Sequence, residues 1–95
     1  MNFTAIVWDY DIDEKEFLSI LEGTTVRGKL DADWAARRVI EFAPFEDIIA
    51  VLGYRRLVQN WPRWRRGIRS LSRKRGLDFM MTWLPLNRND LVEQE

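Results

Sequence analysis

Pro44-Phe45-Glu46-Asp47-Ile48-Ile49-Ala50-Val51-Leu52-Gly53 carries large apolar side chains at 45, 48, 49 and 52, the repeat of an amphipathic α-helix. Pro44 suits a first helical turn, where a missing N–H costs nothing. Glu46 and Asp47 place negative charge at the end where the helix dipole favours it, and Gly53 suits a C-terminal stop. Beyond the glycine, Tyr54, Leu57, Val58 and Trp61 carry the same period into a second short helix that Pro62 is expected to end.

From Pro62 the apolar residues Trp64, Ile68 and Leu71 recur at spacings of four and three, one helix face. Arg65, Arg69 and Arg73, each four apart, lie one residue further round, and this spacing predicts a basic ridge beside that face. Gly76 is expected to end this helix. Leu77, Met80, Met81 and Leu84, flanked by Phe79 and Trp83, then form a last apolar helix closed by Pro85, and 87–95 reads as a polar, frayed tail.

Upstream of Pro44, Asp31 or Asp33 caps a helix in which Trp34, Ala35, Val39, Ile40 and Ala43 face inward while Arg37, Arg38 and Glu41 face out. Gly28 lies in a loop over 24–30. Asp13 starts an earlier helix with Phe17, Leu18 and Leu21 on its apolar stripe and Gly23 as its stop. Phe3-Thr4-Ala5-Ile6-Val7-Trp8 is β-branched and apolar and reads as a short extended segment. The fold class expected is therefore mainly α: a single compact bundle of about five to six short helices over 1–86, with that extended N-terminus.

Composition narrows the chemistry. At 95 residues the chain is one small domain, and 46% apolar content with five Trp and five Phe suffices for a packed core. It holds neither cysteine nor histidine. Disulfides, thiolate metal sites, zinc–imidazole chemistry and Ser–His or Cys–His catalysis are thereby excluded within it. Met1 to Trp8 is apolar but quickly followed by acids, unlike a signal peptide, and no apolar run approaches the roughly 20 residues of a membrane span. A cytoplasmic protein with no membrane partner is the expectation.

Formal neutrality hides a segregated charge. Eleven acids and five bases precede Tyr54, whereas the stretch from Tyr54 to Leu77 holds nine bases and no acid. These are Arg55, Arg56, Arg63, Arg65, Arg66, Arg69, Arg73, Lys74 and Arg75, taken here as the candidate partner- or nucleic-acid-binding residues. Three readings stand. The arginines, interleaved with Trp61 and Trp64, could hold phosphates while the rings stack on bases. They could dock on an acidic protein. They could also pair inside the fold with the acids of the first half. The two tryptophans lie on the apolar sides of their helices and are expected in the core.

Two other signals are weak. Asp9, Asp11 and Asp13 follow an apolar run, but a phosphatase-type Asp-x-Asp strand needs a hydroxyl residue and a large parallel sheet. A calcium loop counted from Asp9 would need Gly and Glu where Glu14 and Ile20 stand. A solvated turn with an N-cap is the better reading. Phe45 to Trp61 could be a helix–glycine–helix DNA reader, but Ile49 and Gln59 occupy positions that motif gives to a small and an apolar residue.

Three stretches carry a resemblance. They are Trp8-Asp9-x-Asp11; Leu30-Asp31 with Arg37-Arg38-Val39-Ile40-Glu41-Phe42, Glu46-Asp47-Ile48 and Leu52-Gly53-Tyr54; and Arg69-Ser70-x-Ser72 with Leu77-Asp78-Phe79 and Trp83-Leu84. In this order the chain resembles a family of small prokaryotic antitoxins encoded beside a nucleotidyltransferase-type abortive-infection toxin. The run Trp61-Pro62-Arg63-Trp64-Arg65-Arg66 lies outside the resemblance. It implies a compact helical protein that restrains a cognate toxin, without catalytic residues or a cofactor. The expected function is thus a non-enzymatic, antitoxin-like interaction protein that binds an acidic or nucleic-acid-handling protein through the basic segment. The alternative is direct nucleic-acid binding by the same residues.

Overall fold

The computed structural model describes residues 2–93. Among these it has seven α-helices and one 3-10 turn: α1 (Phe3–Ile6), α2 (Glu14–Leu21), α3 (Ala32–Phe42), α4 (Phe45–Leu52), α5 (Tyr54–Trp64), the 3-10 turn Arg65–Gly67, α6 (Leu71–Asn87) and α7 (Asn89–Glu93). The protein is a mainly α single bundle with a radius of gyration of 13.2 Å, the value expected for a compact chain of this length. Its core joins Phe17, Ile20 and Leu21 of α2 to Ala35, Ala36, Val39 and Ile40 of α3, and these to Leu57, Trp61 and Trp64 of α5. Leu77, Met81 and Leu84 of α6 complete it.

Helix starts follow local chemistry. Asp13 accepts a hydrogen bond from the Glu16 N–H at 2.7 Å, and Asp31 one from the Trp34 N–H at 2.9 Å, so Asp31 rather than Asp33 is the cap. Gly53 joins α4 to α5 at φ 80° and ψ 156°, a conformation open essentially to glycine alone. The turn is tight: the Gly53 N–H donates to the Ile49 carbonyl at 2.8 Å and α5 begins at once.

The N-terminus differs from the extended segment expected. Phe3–Ile6 is a helical turn capped by the Asn2 side chain, with Ile6 buried and Phe3 edge-on to Phe17 at 5.6 Å. With no strand among the described residues to pair with, the turn satisfies its own backbone while still burying Ile6.

Around the prolines the boundaries move further. Pro62 lies inside α5, because Leu57, Trp61 and Trp64 form one buried stripe at i, i+4 and i+7, and the Trp64 indole beyond the proline is buried. The helix instead ends in the 3-10 turn, and Ile68 is extended at φ −86° and ψ 124°. Trp64, Ile68 and Leu71 therefore share no helix, and Leu71 is 56% exposed. Gly76 and Pro85 both lie within α6, which runs from its Ser70 cap to Asn87. At the C-terminus, expected to fray, Asn89–Glu93 forms α7 with Leu91 and Val92 packed on the core. Gln94 and Glu95 of that stretch lie outside the described residues.

Candidate interaction surface

Most of the basic segment is engaged within the fold. The Arg65 guanidinium grips Asp78 with two parallel bonds, Nε to Oδ1 at 2.9 Å and Nη2 to Oδ2 at 2.8 Å. The Trp61 indole N–H donates to the same Oδ1 at 2.7 Å. Arg65, and then the indole, hold the Asp78 carboxyl well down, at about 2. Asp33 repeats the arrangement one helix away. It accepts from Arg63 at 2.8 Å and from the Trp64 indole at 2.9 Å, and those two donors lower its pKa. Each buried tryptophan thus has its polar edge satisfied by a carboxylate that also takes an arginine.

Arg73 is spent differently. Its Nη1 donates to the Ile40 carbonyl at 2.8 Å and also to that of Ala43, at the carbonyl end of α3. Glu41, on the same end of α3, accepts from the backbone N–H of Arg69 at 2.7 Å and of Ser70 at 3.2 Å, just ahead of α6. The positive group meets the negative end of one helix and the negative group the positive end of the other, so both dipoles and both sets of orphan groups are answered. Arg56 Nη2 donates to the Leu21 carbonyl at the end of α2 at 2.7 Å.

The expected ridge of Arg65, Arg69 and Arg73 is therefore not formed. Arg65 sits in the 3-10 turn, Arg69 on the extended connection and Arg73 in α6, because Ile68 breaks the helix that would have aligned them. Among the described residues, the side chains of Arg66, Arg69 and Arg75 make no hydrogen bond or ion pair. The Lys74 side chain makes no hydrogen bond there and acts on Asp78 through charge alone. The basic patch is thus narrower than its sequence: the connection into α6 and its first turn. Arg55 has partners of its own.

Sequence reasoning missed a second surface. On α6 the residues Leu77, Met81 and Leu84 face the core, while Phe79, Trp83 and Leu86 are 69%, 40% and 79% exposed on the opposite side. Beside them runs a groove of about 340 Å³ between α4 and α6, lined by Phe45, Ile48, Gly76, Leu77 and Met80, with Arg73 as its polar member. Phe45, part of the apolar repeat of α4, lies at the groove's edge, 44% exposed. The available signal was the spacing of Phe79, Trp83 and Leu86 at i, i+4 and i+7, a second stripe behind the first.

The three acids near the N-terminus separate. Asp9 pairs with Arg38, Asp13 caps α2, and the Asp11 carbonyl accepts from Arg27 at 3.0 Å. No helix among the described residues is long and apolar enough to cross a membrane. No known family matches the chain, and neither a curated protein nor a solved structure resembles it closely enough to count as a match.

Proposed function

We propose that the protein is a non-enzymatic interaction protein that captures an acidic protein partner on the outer face of α6, in the manner of an antitoxin restraining a nucleotidyltransferase-type toxin. The observation that carries this reading is the apolar stripe Phe79, Trp83 and Leu86, left in solvent on a helix whose other side already fills the core. A contiguous apolar face beside a groove is the surface soluble proteins reserve for partners. Its chemistry suits an amphipathic helix laid into the groove between α4 and α6. The acidic character follows from the cations at one end of that face. Arg75 lies one turn before Phe79 and Lys74 next to it, with no carboxylate hydrogen-bonded to either among the described residues. The antitoxin form of the reading rests on the sequence resemblance.

Direct nucleic-acid binding by Arg66, Arg69, Lys74 and Arg75 is the competing outcome. Co-expression with the product of the adjacent gene tests the proposal. The wild-type chain should co-purify with it, the Phe79→Ser/Trp83→Ser variant should not, and Arg75→Glu should weaken capture. Equal capture by the double-serine variant, or no capture by the wild type, would overturn it. A salt-sensitive shift of DNA or RNA oligonucleotides without protein capture would favour the nucleic-acid reading.

A further inference from the structure

We propose that a hollow on the far side of α3 binds a small aromatic carboxylate through Arg37 and Arg69. The hollow holds about 250 Å³ and lies between α3, the turn after α1 and the connection into α6. Its walls are Tyr10, Trp34 and Phe42, and its polar rim is made largely of arginine and carboxylate groups.

Which of these groups are free follows from their partners. Arg38 is fully committed: its Nε donates to the Ile6 carbonyl at 2.9 Å, its Nη atoms meet Asp9, and its guanidinium lies over the rings of Tyr10 and Phe42 at 5.3 and 4.5 Å. Asp9 is thereby occupied. Glu41 is occupied by the backbone N–H groups of Arg69 and Ser70. That leaves the guanidinium groups of Arg37 and Arg69, which donate no hydrogen bond among the described residues. Three cations and two carboxylates line the hollow, a net of one positive charge, and Arg37 also acts through charge on Asp33.

The place of Arg37 is shaped by the backbone. A side chain at Gly67 would overlap the Arg37 side chain, with its Cβ only 2.8 Å from Nε, so the arginine crosses the 3-10 turn where the chain carries no side chain. The aromatic wall is equally fixed. Tyr10 stands edge-on to Trp34 at 5.0 Å, and Trp34 edge-on to Phe17 of the core at 5.9 Å.

Two planar forks beside an aromatic wall match a planar anion with an apolar body, because a guanidinium pairs with a carboxylate through two parallel hydrogen bonds. A single net charge favours a monoanion over a phosphate dianion. The volume lies below the roughly 300 Å³ at which drug-sized pockets begin, which limits the ligand to about one ring. Such a group has two sources, a free aromatic acid or the terminal carboxylate of a chain ending in an aromatic residue. The proposal concerns a different face from the α6 stripe and stands whether or not that face captures a partner.

The experiment is a titration of the purified chain with benzoate, N-acetyl-phenylalanine, benzamide and inorganic phosphate, followed by NMR of the Trp34 indole and the Arg37 and Arg69 side-chain N–H signals. Saturable shifts with benzoate or N-acetyl-phenylalanine are expected, the tighter of the two identifying the source. Arg37→Gln and Arg69→Gln should each weaken binding by about tenfold. Gly67→Ala should weaken it similarly by displacing Arg37, a flexible side chain, while the melting temperature holds. Binding of uncharged benzamide as tight as that of benzoate, tighter binding of phosphate, unchanged affinity in Arg37→Gln, or no saturable shift would overturn the proposal.

Discussion

Asp78 and Asp33 are the residues on which the basic segment turns. Each accepts from one tryptophan indole and one arginine, so each ties α5 or the turn after it to another helix. Asp78 has its pKa lowered from 3.8 to about 2 in the folded protein. A carboxyl held down on folding contributes stability that is complete above its unfolded pKa and disappears as pH falls through the folded one. The protein should therefore lose stability between about pH 4 and pH 2, which urea denaturation across that range will measure. Asp78→Asn should reduce stability at neutral pH by about 1–2 kcal/mol, discounted because the pair is partly exposed, and should flatten the acid limb. Sequence alone could supply both partners but not the pairing. Arg65 and Asp78 are thirteen residues apart and Arg63 and Asp33 thirty, and no local spacing rule joins such positions.

Among elements, the joint between α3 and α6 governs where the free cations lie. Arg73 closes the carbonyl end of α3 while Glu41 closes the approach to α6, a reciprocal clip. Arg73→Ala should destabilise the protein by about 2 kcal/mol, since it strands carbonyls at a partly buried helix end, and thermal unfolding reads this directly. An arginine serving only a partner would leave the melting temperature unchanged. Gly76 offers a test of opposite sign. It is helical, and a Cβ there would meet nothing within 4 Å, so Gly76→Ala should stabilise by roughly 0.5–1 kcal/mol. Helix existence was legible wherever an apolar stripe stood behind a cap, as at Asp13 and around Phe45 to Leu52. Boundaries at Pro62 and Gly76 were not, because local breakers were outweighed by the burial of Trp64 and Leu77 beyond them, and Pro85 lies in the last turn of α6, ahead of the exposed Leu86.

For the whole molecule, the strong dipole along the sequence is partly folded back on itself, with Asp33 of the first half taking Arg63 and Asp78 taking Arg65. The bundle was legible because most stripes follow one period. The outer face of α6 was not, because Leu77, Met80, Met81 and Leu84 together with Phe79 and Trp83 run almost around the helix, and an apolar helix does not announce which side meets the core. Phe79→Ser should leave unfolding free energy within about 0.5 kcal/mol of wild type, because that ring is 69% exposed. The division between arginines used inside and arginines left for a partner underlies both proposed surfaces. NMR of the arginine Nε–H groups tests it most directly. Arg65 and Arg38, whose Nε atoms are hydrogen-bonded, should give slowly exchanging, protected signals, whereas Arg66, Arg69 and Arg75 should exchange rapidly with water. Uniformly rapid exchange, with Arg65 as labile as Arg75, would contradict it.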